Sequence, residues 1–266
     1  MTWLLHSDPG VVLRVHGPWD ATRPVAVVLH GVGSTADFAL RCLGGPLGAL
    51  GYDVVAPDLR GHAGSTPLAD PAAHAVEAHV GDVSALAAEV DVHLVAGISL
   101  GAEVALRWVA AGAGRAPDGV VVCLPGIAGP ASTPAAASRA AADLLATRGV
   151  DAVLAGMGRA DGALPWVVEE VRASWPQHHP TSLVAALRAA AEEHPTSEDR
   201  LRAVGVPVGV VAVDGDAGHP SDVARHLVER LPCAALTTVA LADLADDRGR
   251  LGRAGVAALA RASGSR

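Results

Sequence analysis

Gly97-Ile98-Ser99-Leu100-Gly101 is the segment of this chain best suited to chemistry. It follows the apolar run Val92-His93-Leu94-Val95-Ala96 and precedes Ala102-Glu103-Val104-Ala105-Leu106, which reads as helix. A strand, a sharp turn and a helix force the central serine into a strained backbone, and the two glycines relieve the crowding because they lack a Cβ. The Ser99 hydroxyl then stands exposed at the strand end, where a neighbouring base can make it a nucleophile. The N–H of Leu100 points the same way with the helix N-terminus behind it, so negative charge developing on a substrate oxygen can be held there. A second donor is expected from His30-Gly31-Val32-Gly33, whose small residues let the Val32 N–H face Ser99.

Valine-rich runs alternate with longer alanine- and leucine-rich stretches, the pattern of buried parallel strands joined by helices, so the fold class is α/β. Strands are predicted at Val11–His16, Val25–His30, Asp53–Pro57, His93–Gly97, Gly119–Leu124, Val206–Asp214 and Ala234–Leu241. Helices are predicted near Ala36–Leu50, Pro71–Glu89, Leu100–Ala111, Ser221–Leu231 and Arg250–Ala262, with Ala262–Arg266 as a frayed tail. From Pro125 to Gly205 the chain runs about 80 residues without a convincing strand, far beyond an ordinary connection, so this stretch should carry structure and a role. Helix-like runs occur there at Pro134–Thr147, Pro165–Ser174 and Ser182–Glu193, and Trp166, Trp175, Met157 and Leu164 suit an apolar pocket wall.

Together with Pro57-Asp58-Leu59-Arg60-Gly61-His62-Ala63-Gly64-Ser65, the serine and His30-Gly31 motifs, in this order, resemble the α/β-hydrolase fold superfamily, particularly its lidded esterase, lipase, lactonase and haloperoxidase-like members. The resemblance spans residues 10–262 and implies a mostly parallel central sheet flanked by helices. It divides the chain into a core, 1–125 and 205–266, and a helical lid, 126–204, inserted after the sixth strand. It also implies an acid after the seventh strand, where Asp216, four residues before Pro220, matches best and Asp214 is the fallback.

The superfamily's general base is a histidine after the last strand, but the stretch Val239–Arg248 contains none, and the last histidine in the chain is His226. An unaided serine hydroxyl is a poor nucleophile; such a base contributes about 10² to 10⁴ in rate. His219, three residues after Asp216, is the best relocated candidate. His62 and His30 suit structural roles beside the site, and His178 and His179 lie in the lid. Asp243, Asp246 and Asp247 beside Arg248 and Arg250 read as a solvated charged loop, and Glu103 as a partner of its helix dipole.

Three functions remain open. One is an enzyme that cleaves or transfers the acyl group of a small, mostly apolar ester, lactone or thioester through Ser99, with an atypical base. The second is a non-hydrolytic cyclase, lyase or isomerase in the same pocket. The third is a binding protein whose site has lost its chemistry.

Composition narrows the partners. Half of the 266 residues are hydrophobic and 18% are charged, which excludes a disordered or fibrous chain. A net charge of −8 and few aromatics argue against nucleic acid. All 20 basic residues are arginine, so Schiff-base chemistry and a phosphate-loop lysine are excluded. The three cysteines, Cys42, Cys123 and Cys233, form no Cys-x-x-Cys pair and read as small apolar residues. No ligand-spaced His/Cys cluster or dinucleotide glycine fingerprint occurs, so neither a metal nor an organic cofactor is expected. The N-terminus lacks the pattern of a secretion signal and no window spans a membrane, which leads to a cytoplasmic expectation.

Overall fold

Runs of valine with no polar alternation become central strands because helices cover both of their faces. The structure, a computed structural model, describes residues 2–5 (backbone only), 10–20, 22–112, 115–157 and 164–264. Residues 158–163 of the expected lid, most of the N-terminal segment discussed above and the last two residues of the expected tail lie outside that set. The strands are β1 (Thr2–Leu5), β2 (Val11–His16), β3 (Val25–Leu29), β4 (Asp53–Asp58), β5 (Val92–Ile98), β6 (Gly119–Cys123), β7 (Val208–Asp214) and β8 (Ala234–Ala240). They form one sheet in the order β1-β2-β4-β3-β5-β6-β7-β8. β2 pairs antiparallel with β1 and β4, and the remaining pairings are parallel. β1, only four residues long, carries too short a pattern to be recognised in the sequence and is added at the sheet edge.

Successive residues of β3 feed opposite cores, as the two-residue period of a strand requires. Val25, Val27 and Leu29 pack in one layer, Ala26 and Val28 in the other. The first layer is closed by α3 (Val76–Glu89), α4 (Leu100–Ala111) and, further along the chain, the helix Ser221–Arg230. The second is closed by the segment 36–48 and the C-terminal helix Gly249–Gly264. The first of these helices, expected as one element, is built from α1 (Ala36–Ala39), a π-helical turn (Leu40–Gly44) and α2 (Gly45–Gly48). Likewise a 3₁₀ turn, Pro71–His74, precedes α3, because Ala75 is extended at ψ 146. The C-terminal helix runs on to Gly264 with Ala262 buried, so residues 262–264 are not a frayed tail.

Between β6 and β7 the described chain is helical: α5 (Thr133–Arg148), α6 (Val150–Met157), α7 (Pro165–Ser174), α8 (Pro180–Glu192) and α9 (Glu198–Arg202). Its own small core gathers Ala142, Leu145, Val153, Trp175, Leu183 and Leu187, and Val32 packs against it. The sheet order reverses at β3, whose chain leaves to β4 on one side and returns to β5 on the other, so the loops leaving β3 and β5 diverge and open a crevice at their C-terminal ends.

Candidate active site

Ser99 lies at that crevice with φ 55 and ψ −113, a conformation that non-glycine residues rarely adopt and that costs on the order of 1–3 kcal/mol. The turn is held by close backbone approach on both sides. A Cβ on Gly97 would lie 2.1 Å from the Gly101 carbonyl oxygen, and one on Gly101 would lie 2.3 Å from that of Leu29. Ser99 N–H donates to Cys123 O at 2.9 Å, tying the turn to the end of β6. Leu100 opens α4, so its N–H has no acceptor within the helix. Gly31 passes so close that its Cβ would meet Ser99 Cβ at 3.1 Å. Val32 and Leu100 both line the cavity in front of the serine.

His219 Nε2 stands 2.8 Å from Ser99 Oγ, and its Nδ1 stands 2.8 Å from Asp216 Oδ2. With Nδ1–H donating to the carboxylate, Nε2 presents a lone pair to the serine hydroxyl. The other Asp216 oxygen accepts from Gly218 N at 2.8 Å. Burial pushes the Asp216 carboxyl up, but the hydrogen bonds from His219 and Gly218 outweigh it and hold the group below its usual value. Asp214, the fallback acid, instead accepts from Ser221 Oγ at 2.7 Å and closes the base of the loop. Asp216 and His219 thus share one loop after β7. After β8, where the superfamily keeps its histidine, a 3₁₀ turn (Leu241–Leu244) gives Leu241 and Leu244 to the cavity wall.

The cavity measures about 590 Å³ and is lined mostly by apolar side chains, Met157, Trp166 and Trp175 among them, while Leu164 stays outside it. The remaining histidines are placed elsewhere. His30 lies beside the Gly31–Val32 loop, Nδ1–H donating to Gly31 O at 2.7 Å and Nε2 accepting from Leu59 N–H at 2.9 Å. Burial lowers its pKa to about 4. His62 donates to Arg60 O, and His179 is exposed beside Thr181. His178 is buried, its ring nitrogens facing Ser174 O and Ser34 O rather than the pocket.

Glu103 lies in the first turn of α4 and is buried against Arg107 and Thr196. One expectation changes. Asp243 and Asp247 do pair with neighbouring arginines, but Arg248 leaves that loop to stack 4.1 Å over the Trp166 ring in the cavity wall. Sequence reading also missed Gly126, which packs against His219, and Leu124, bent to φ 48 just after β6. Neither residue type carries a local signal. Cys42 and Cys123 are buried free thiols, and burial pushes the Cys42 thiol up to about 12. Among the described residues no group of three or more His, Cys, Asp or Glu is arranged to hold a metal ion, and no helix is long and apolar enough to cross a membrane.

Comparison with solved structures shows what the fold is similar to. A Pseudomonas aeruginosa hydrolase superposes with a TM-score of 0.76 at 21% identity, covering 97% of this chain and 98% of that one. An esterase from Exiguobacterium antarcticum gives 0.78 at 14%, covering 97% and 99%. An enol-lactonase from Burkholderia xenovorans gives 0.69 at 19%, covering 88% of each. At these identities the likeness concerns the fold. No curated protein matches the chain in sequence. The profile of the serine aminopeptidase S33 family matches residues 20–244, a span that runs from before β3 to beyond β8 and includes the serine turn. The chain therefore belongs to the serine aminopeptidase S33 family, within the α/β-hydrolase superfamily, and is a hydrolase-like enzyme.

Proposed function

We propose that this protein hydrolyses small, mostly apolar esters, lactones or thioesters, with Ser99 as nucleophile, His219 as general base and Asp216 as the group that orients it. The observation that carries the reading is the 2.8 Å contact between His219 Nε2 and Ser99 Oγ. Ser99 Oγ attacks the substrate carbonyl carbon and its proton passes to His219 Nε2. The Val32 and Leu100 N–H groups receive the oxyanion. The bond to the alcohol or thiol then breaks, and His219 returns the proton to that leaving group. A water molecule, deprotonated by the same imidazole, releases the acid and restores the serine.

Residues 126–204 serve as a lid over this site, and 1–125 with 205–266 as the core. In support, α7 and the 3₁₀ turn after it bring Trp166 and Trp175 into the cavity wall, where apolar side chains favour an apolar substrate and limit water. The esterase and lactonase named above agree in reaction class with this reading. The non-hydrolytic alternative rests on a missing base together with oxyanion donors and a lid that excludes water, and the binding-only alternative on a site without chemistry; the imidazole in contact with the serine favours hydrolysis over both.

A fluorophosphonate probe tests the reading. Labelling of Ser99 in the folded protein, lost in Ser99→Ala together with turnover of short-chain 4-nitrophenyl esters, is the expected result. A folded protein that neither reacts with the probe nor cleaves any member of an ester, lactone and thioester panel would overturn it.

A further inference from the structure

Each carboxylate among the described residues lining the Ser99 cavity has an arginine or histidine partner. Asp37 lies 3.7 Å from Arg14, Glu170 2.6 Å from Arg41, Glu193 2.9 Å from Arg107, and Asp216 2.8 Å from His219. Arg248 lines the same cavity and differs. The neighbouring acids Asp243 and Asp247 are taken by Arg250 and Arg253, and no described carboxylate lies within ion-pair distance of the Arg248 guanidinium.

Its geometry is that of a mounted group rather than a free surface arginine. The guanidinium carbon sits 4.1 Å from the centre of the Trp166 ring, within the range of a cation–π contact. Both of its hydrogen bonds are made by Nη1, to Leu244 O and Ala245 O. Nε–H and Nη2–H, the edge that matches the two oxygens of a carboxylate, have no acceptor among the described residues. A cation held this way in a mostly apolar cavity attracts an anion more strongly than one in open water.

We infer that Arg248 receives a carboxylate of the substrate, so that the compounds reacting at Ser99 are esters, lactones or thioesters ending in an acid group. This rests on the reading of Ser99 as the reacting centre, and it narrows the mostly apolar substrate to one with an apolar body and a single anionic end.

The test compares acids with their methyl-capped counterparts on the wild-type protein. One series is the mono-4-nitrophenyl esters of succinic to suberic acid, with the carboxylate on the acyl side. The other is the butyrate esters of ω-hydroxy acids, followed by pH-stat, with the carboxylate on the alcohol side. At the best-fitting length of one series the acid should exceed its methyl ester by about tenfold or more in kcat/KM, the size expected of a charge-assisted bond, chiefly through KM. Added salt should shrink the preference, Arg248→Gln should remove it, and Arg248→Lys should restore part of it.

Equal or better use of the capped esters in both series, or a preference that survives in Arg248→Gln, overturns the inference while leaving hydrolysis at Ser99 intact. If no ester is cleaved at all, the hydrolytic reading fails by itself. The thermal shift of the wild-type protein with monomethyl adipate and with dimethyl adipate then decides: stabilisation by the acid alone supports the carboxylate site, and equal shifts overturn it. The wild-type comparisons need no variant, so poor folding of an Arg248 substitution leaves them decisive.

Discussion

Gly126 presses on His219: a Cβ at residue 126 would lie 2.5 Å from the ring's Cδ2 and 3.2 Å from its Nε2. The chain just after β6, bent at Leu124, is therefore a wall that holds the imidazole toward Ser99. Gly126→Ala is expected to displace the ring and lower kcat by about 10²-fold, the usual cost of a misplacement near 1 Å. The rate of fluorophosphonate labelling should fall with it while circular dichroism stays unchanged. Gly45→Ala, where nothing lies within 4 Å of the added methyl, is the control and should alter neither.

If His219 is the base that Asp216 orients, substituting either residue should be costly. His219→Ala is expected to lose about 10² to 10⁴ in kcat for ester hydrolysis. Asp216→Asn keeps the shape but no longer selects the Nδ1–H tautomer, and should lose a comparable factor. Asp214→Asn, which disturbs only the contact to Ser221, should leave turnover close to wild type. Steady-state kinetics on the three variants separates these outcomes.

Acid should destabilise the fold before it protonates ordinary carboxylates. His30, His62 and His79 are fully buried, with ring centres of His62 5.1 Å from His30 and 6.3 Å from His79. Burial lowers the pKa of His30 to about 4 and of His79 to about 3, and holds His62 well below 6.5. Below pH 6.5 the unfolded chain takes up protons at these residues that the folded one refuses, so stability is complete above that pH and falls as pH drops toward 4 and 3. Each histidine can contribute up to about 1.4 kcal/mol per pH unit in that window. Urea midpoints measured from pH 7.5 to 5 should decrease steadily. His79→Leu should flatten the slope, because it removes one of the buried imidazoles that the folded chain keeps neutral.

Arg107 on α4 joins the serine helix to the end of the helical segment, bonding Glu103, Glu193 and the His194 carbonyl. Arg107→Met leaves Glu103, which is already pushed up by burial, without its cation. The expected loss is about 3–5 kcal/mol of unfolding free energy, measurable by urea denaturation. Arg172→Met, on the exposed side of α7, should change it by less than about 0.5 kcal/mol.

Much of this molecule is written locally. The unbroken valine runs specify buried parallel strands, and Gly97 and Gly101 around Ser99 specify the turn, because the clashes they avoid involve residues close in sequence or on an adjoining strand. Asp216 and His219 are visible as an acid and an imidazole three residues apart on one loop. What they do depends on that loop, carried by β7, reaching a serine 120 residues away across β6, and no spacing rule encodes that distance. The same holds for Arg248, which local charge density assigns to solvent and long-range packing sets on Trp166. Sequence alone determined the class of the fold, the strained serine and the absence of a histidine after β8. Only the tertiary structure decided which imidazole meets that serine, because hydrogen bonding acts over about 3 Å and the sheet, not the chain, brings those atoms within it.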